Sequence, residues 1–581
     1  WDPLTDLDTP DRGMDRLATR IRAEQASAAG ATVLLENGDG LQGTPLGDTC
    51  ADLGAAHPWP DILNALEYDA VGLGNHDFDF GVPALEAVLS RVACPVLCAN
   101  VRADLLRYVH PHKVIEKAVK CSDGNVRTLK IGLTSALPPQ TGVWNRRWFD
   151  TSGVFVPGVE SVRASVSHLR QTGADLVFVL CHSGLTDGPD KLGENFAADL
   201  AANIDGIDGM VLGHNHLQFP GAAHADFEGT NMDRGTVHDV PCVMPAHAGR
   251  EVGVIDLDLE LGAEGWRVHD HEVRRIGISP TDPVAPDIDA IVSPHVQAAR
   301  DALGSRIGTA HADLNTWFSM LRPCMTEDLL ARAMRTTIKD AVKETDLAQL
   351  PVLASVAPSA LGGRAGPRNF VDIPAGPFLE RHAAMMCPYP NTIWALVLRG
   401  YQISDWLDRS LSYFAPAGTH GPLVDPQAPA FNFDALHGLE TMVDPVKPSR
   451  FDPLGNRTLG NSSRVQQVTH NGRPIDMNDR FVVAMTSFRA AGGGNFPGAD
   501  GDAQVIRTQI ELKAALRKVV GQAVNGVTPE PPAWRFAPGL NVTRTIETAP
   551  KAEAALDQIS AFAPKSLGLT DNGFLRVEVT L

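Results

Sequence analysis

Short apolar runs recur along the first half of the chain, and four of them end in polar, glycine-flanked turns. Residues 31–35, 71–73, 95–101, 130–134, 175–181 and 209–213 are too short for helices and read as buried strands. Between them, residues 14–29, 60–68, 83–92, 158–172 and 194–203 read as helices, with closing strands at 240–246 and 251–259. Strands alternating with helices predict a layered α/β domain over residues 1–275. A proline-rich stretch and an amphipathic helix at 287–303 form a predicted linker, residues 276–305. A second α/β region is expected over 306–540. Residues 541–581 read as a C-terminal extension with a helix at 551–562 and a final strand at 574–581.

Composition narrows the class. At 581 residues the chain exceeds a single core. Its net charge of −19, from 50 basic and 69 acidic residues, argues against a nucleic-acid or membrane partner. No apolar run approaches the roughly 20 residues that span a bilayer. The eight cysteines include no CxxC pair and read as mostly buried thiols rather than a disulfide scaffold.

The chemistry collects where strands end. Asp39 follows the first run, Asn75 and His76 the second, His182 the run at 175–181, and His214 and His216 the run at 209–213. Parallel strands deliver their C-terminal ends to one edge of a sheet. Carboxylate, amide and imidazole together suit a hard or borderline divalent ion, and there are enough for two.

Gly38-Asp39, Gly74-Asn75-His76-Asp77, His182 and Gly213-His214-Asn215-His216 resemble the blocks of the calcineurin-like metallophosphoesterases. The text around Gly38 to Pro45 and Gly74 to Gly81 is similar to their 5′-nucleotidase branch. The resemblance implies an N-terminal β-sandwich flanked by helices, a linker helix and a C-terminal α/β substrate domain. It implies two divalent ions, of Zn, Mn, Fe, Ni or Co. Asp39 would bridge them; Asn75, His182 and His214 would complete one site, and His216 would belong to the other. His76 would stabilise the phosphoryl transition state, oriented by Asp79, with Asp77 as a turn cap. The family also opens with an Asp-x-His block, which is expected upstream of Trp1.

Ser359 to Gly376, Tyr389 to Ile393, Phe431-Asn432-Phe433-Asp434 and Ser487 to Gly494 are similar to the bifunctional 2′,3′-cyclic-nucleotide 2′-phosphodiesterase/3′-nucleotidases. By that resemblance Phe433 and Phe488 would sandwich a nucleobase, with Arg364 and Asn432 as further substrate contacts. The expected ligand is a small nucleotide, the expected protein a monomer, and the expected compartment the periplasm, with the cytoplasm as alternative. A 5′-nucleotidase or nucleotide-sugar hydrolase, and a non-catalytic nucleotide-binding protein, remain open alternatives.

Overall fold

In the computed structural model, all residues are described except 53–56, 150–152, 188–192, 264, 416–417, 419, 426–427, 461, 500–502 and 523–530. The chain divides into two compact units, Trp1–Ala302 and Leu303–Leu581.

The first unit is a sandwich of two sheets. One holds four strands, all parallel: Leu35–Glu36, Ala70–Gly72, Val96–Leu97 and Val109–His110. The other is built on four parallel strands, Val126–Ala136, Leu176–Cys181, Gly209–Leu212 and Val240–Pro245, with His112–Lys120 antiparallel at one edge. The facing surfaces share a core of Ala70, Leu97, Leu129, Ile131, Leu133, Leu176 and Leu180. A Cβ on Gly72 would come within 2.8 Å of the Ser135 hydroxyl, so a bare backbone lets the sheets approach. Helices Met14–Ser27, Val82–Leu89 and Gly158–Gln171 bury apolar stripes on the outer faces. A long hairpin, Glu251–Gly262 with Gly265–Gly277, closes the unit.

The second unit has a mixed five-stranded sheet in the order Ala435–His437, Val352–Val356, Arg480–Thr486, Thr392–Arg399, Gln504–Glu511. Helices Met325–Val342 and Leu512–Gln522 cover one face through Leu330, Met334, Ile338 and Leu516. Helix Gly400–Ser410 covers the other through Ile403 and Trp406. The near-continuous apolar strands follow from this double burial.

Three expectations need correction. Residues 541–581 are not a separate extension: Ile546, Leu575, Val577 and Val579 pack in one core with Phe318, Phe414 and Trp534. The helix expected at 551–562 is a run of 3-10 turns, Pro550–Phe562, broken by non-helical backbone at Ala555 and Ile559. The expected linker does not stand apart either, because its helix Pro286–Leu303 lies almost wholly in the first unit, with Ile288 buried against Leu17 and Ile21. Among the described residues no helix is long and apolar enough to cross a membrane.

Candidate active site

Four parallel strands of the first unit end at the same place. Asp39 lies beyond Leu35–Glu36, Asn75 beyond Ala70–Gly72, His182 beyond Leu176–Cys181, and His214 beyond Gly209–Leu212. The turns that aim them are tight. Asp39, His214 and His216 adopt left-handed backbone with φ of 63°, 69° and 59°, which non-glycine residues rarely do. Gly38 and Gly74 are required by crowding: a Cβ on Gly38 would lie 2.2 Å from the Gly74 nitrogen, and one on Gly74 would lie 2.2 Å from Asp39 Oδ1.

Asp77 knits the two loops. Its fully buried carboxylate accepts from the backbone nitrogens of Gly74 (2.8 Å), Asp39 (3.0 Å) and Leu41 (3.2 Å). The backbone nitrogen of His76 donates to Asp39 Oδ1 at 2.7 Å. His76 Nδ1 lies 2.8 Å from Asp79 Oδ2. The segment after helix Thr141–Trp144 braces this turn: Arg147 and Trp148 both donate to the Asp79 carbonyl, and Asn145 donates to that of Asn75.

The ligand-type atoms stand as two pairs. His182 Nδ1 donates to the Asn37 carbonyl at 2.6 Å, and Nε2 lies 3.0 Å from Asp39 Oδ2. The Asp39 carboxylate outweighs burial and raises the His182 pKa, so with no metal a proton on Nε2 joins the two groups. His214 Nδ1 lies 2.9 Å from Asn75 Oδ1. The His182 and His214 rings meet edge to face, with centroids 5.7 Å apart. Among the described residues no three His, Cys, Asp or Glu side chains make a ready-made metal cluster. The donor chemistry nevertheless fits a divalent ion, because an ion between imidazole and carboxylate can take that proton's place and accept a lone pair from each. His216 stacks on His247 at 4.7 Å, and burial, helped by that neighbour, lowers its pKa to about 4. It is therefore a neutral imidazole, the form that ligates metals.

Charge is concentrated here. Burial pushes Glu36 up to about 8, aided by the Asp77 charge. Burial likewise raises Asp77 to about 6, with Asp39 next in importance. Asp39 moves the other way: burial is outweighed by the imidazoles of His182 and His76. For His76, burial is outweighed by Asp79 and Asp39, which push it up to about 9.

In the second unit the structure revises the aromatic pair. Phe433 is only 3% exposed and is core, stacked on Tyr413 at 4.9 Å and edge-on to Phe414 and Trp534. A base has no access to its face. Phe431, two residues earlier, is 54% exposed and meets Phe488 edge to face at 6.3 Å. Asn432 is buried, and its side-chain oxygen accepts from Arg489 Nη1 at 3.1 Å, so it serves the scaffold rather than a ligand. Arg364 falls in the 3-10 turn Gly363–Ala365, and its side chain lies outside the described residues. Glu194, Trp144 and His247 were not picked out from sequence, since each is a lone residue in a loop or short helix without a repeating signal.

The model of the 5′-nucleotidase C-terminal domain matches residues 306–501. The 2′,3′-cyclic-nucleotide 2′-phosphodiesterase/3′-nucleotidase of Salmonella typhimurium is 30% identical over 100% of this chain and 94% of its own length. This chain belongs to that nucleotidase family of phosphoesterases. The Yersinia enterocolitica member is also 30% identical, over 93% of its length. The trifunctional nucleotide phosphoesterase protein YfkN of Bacillus subtilis is 30% identical over 96% of this chain, but the chain spans only 39% of that protein. Among solved structures, a putative 5′-nucleotidase from Staphylococcus aureus shares the fold with a TM-score of 0.71 at 20% identity, covering 91% of this chain and 95% of its own. Family membership makes the chain a hydrolase of phosphoric esters.

Proposed function

We propose that the chain hydrolyses 2′,3′-cyclic nucleotides to 3′-nucleotides, and these in turn to nucleoside and phosphate. The observation that carries the reading is the convergence of Asp39 and Asn75, from strand ends of one sheet, with His182 and His214, from strand ends of the other, and the His76–Asp79 pair beside them. Full-length relatives named for this activity support the choice of substrate.

Asp39, Asn75, His182 and His214 would hold one divalent ion, and Asp39 with His216 would contribute to a second. Such ions, when bound, neutralise phosphoryl charge and make water nucleophilic at neutral pH. The chain's own groups do the rest. His76 carries a proton up to about pH 9 and donates it as a hydrogen bond to the phosphoryl oxygens, where charge develops. Asp79, 2.8 Å from Nδ1, fixes the ring so that Nε2 faces the reacting group. Asp77 holds the Asp39 and Gly74 loops in register, so that ligand and stabiliser keep their spacing.

Phe431 and Phe488 supply the base platform. Stacking on aromatic faces contributes about 1–3 kcal/mol per base and tolerates any base.

A substrate panel tests the reading. Phosphate release from 2′,3′-cyclic AMP, 3′-AMP and 5′-AMP is measured with added Mn²⁺, Co²⁺ or Zn²⁺ and with EDTA. Release from the first two only, abolished by EDTA, is expected; a preference for 5′-AMP would make the chain a 5′-nucleotidase instead. Export to the periplasm belongs to the same reading, and fractionation of the native host checks it.

A further inference from the structure

The His214 ring is held on three sides. Nδ1 lies 2.9 Å from Asn75 Oδ1, Nε2 lies 3.0 Å from Glu194 Oε1, and one face stacks on Trp144 at 5.6 Å with planes 12° apart. An imidazole between two oxygens satisfies both by hydrogen bonds only if it carries two protons. With one proton, the carboxylate takes it, because a charged acceptor makes the stronger bond. Nε2–H then donates to Glu194, and Nδ1 turns a lone pair toward the side where the Asn75 amide oxygen also points. Two lone pairs converging there are a cation's ligands and not each other's partners.

Glu194 is itself built into place. The buried Ser183 hydroxyl donates to the Glu194 carbonyl at 2.8 Å and accepts from the Phe196 nitrogen at 2.8 Å. The Ala197 nitrogen donates to the Gly184 carbonyl at 3.3 Å. A Cβ on Gly184 would lie 2.6 Å from Asn195 Oδ1, so the segment lies tight against that turn. Ser183 and Gly184 directly follow His182. The carboxylate that meets His214 is therefore anchored to the strand end that carries His182, and the two imidazoles share one support.

We propose that Glu194 is a positioning residue of the metal centre: it fixes the tautomer and ring plane of His214 so that Nδ1 faces the ion shared with Asn75. Carboxylate-to-histidine contacts of this kind orient ligands and raise their basicity. The inference rests on the metal reading given above, and its test separates the two.

The full chain, stripped with EDTA, is titrated with Mn²⁺ by calorimetry and with Co²⁺ by visible absorption. Wild type is compared with Glu194→Ala, Glu194→Gln and Asp39→Asn. Glu194→Ala is expected to weaken the tighter Mn²⁺ site about 10–100-fold and to alter the Co²⁺ spectrum. Glu194→Gln keeps an oxygen acceptor for Nε2–H and should stay within about threefold of wild type, with a wild-type spectrum. Thermal unfolding in EDTA should be the same for all three. Unchanged Mn²⁺ affinity and Co²⁺ spectrum in Glu194→Ala would overturn the proposal, as would equal damage from Glu194→Gln. Where Glu194→Ala does not fold, Glu194→Asp replaces it, since one methylene fewer withdraws the carboxylate from Nε2 and the same loss is expected. Asp39→Asn reports on the underlying site: wild-type metal binding in that variant would sink the metal reading itself, and Glu194 with it.

Discussion

The strand-end site of the first unit and the aromatic site of the second hold their polar groups in opposite conditions. In the first, Glu36, Asp39 and Asp77 are crowded together, two of them pushed up in pKa and one down. His182 Nε2 and Asp39 Oδ2 share a proton that a divalent ion could displace. In the second, buried Arg489 is fully engaged: both Asp434 oxygens, Asn432 Oδ1 and the carbonyls of Phe431 and Gly493 all accept from it. That guanidinium ties the segment bearing Phe431 to the helix bearing Phe488. One region crowds carboxylates together and suits an added cation; the other is a finished scaffold that presents rings. Low dielectric makes both conditions consequential, since unpaired buried charge is expensive.

Substitutions can break this contrast. The largest effect is expected from Asp39→Asn, which removes the charge between His182 and His76: hydrolysis of 2′,3′-cyclic AMP should fall by at least about 10³-fold. Steady-state rates check it, and a fall of less than tenfold would mean that the cluster does not organise the chemistry. In the finished scaffold the loss should appear as stability. Asp434→Ala leaves the Arg489 charge buried and unpaired and should cost about 3–5 kcal/mol in urea unfolding. A cost under about 1 kcal/mol would show that the guanidinium finds water instead.

The aromatic revision is sharpened by a smaller effect. Phe431→Ala should raise KM about tenfold with kcat unchanged, in line with the loss of one stacking face. Phe433→Ala should instead lower the unfolding free energy by about 3–5 kcal/mol, as expected for a buried ring, and leave KM within about twofold. The reverse outcome would restore Phe433 as the platform. The smallest effect concerns pH. Burial pushes Glu327 up to about 7, partly offset by His437. The native carboxyl keeps its proton to a higher pH than the unfolded chain does. Stability should therefore fall as pH rises from the ordinary carboxylate range through about 7, and Glu327→Gln should flatten that slope in thermal unfolding from pH 4 to 8.

The chain's order of apolar runs and glycine turns was enough to place Asp39, Asn75, His76, His182 and His214 at strand ends, because those signals are local. An apolar run of three to seven residues that passes into a polar, glycine-flanked turn reads as the end of a buried strand. The layered architecture follows from the same alternation. Phe433 and Phe431 look alike in sequence, two phenylalanines among polar neighbours. Their fates differ because Tyr413, Phe414 and Trp534 arrive from elsewhere in the chain and bury one of them. Glu194 and Trp144 carry no periodic signal either; they reach His214 only because long-range packing brings a loop and a short helix against it. Local spacing determined which groups stand at the strand ends. Tertiary burial decided which of their neighbours are scaffold, which are exposed, and which atom each imidazole has left to offer.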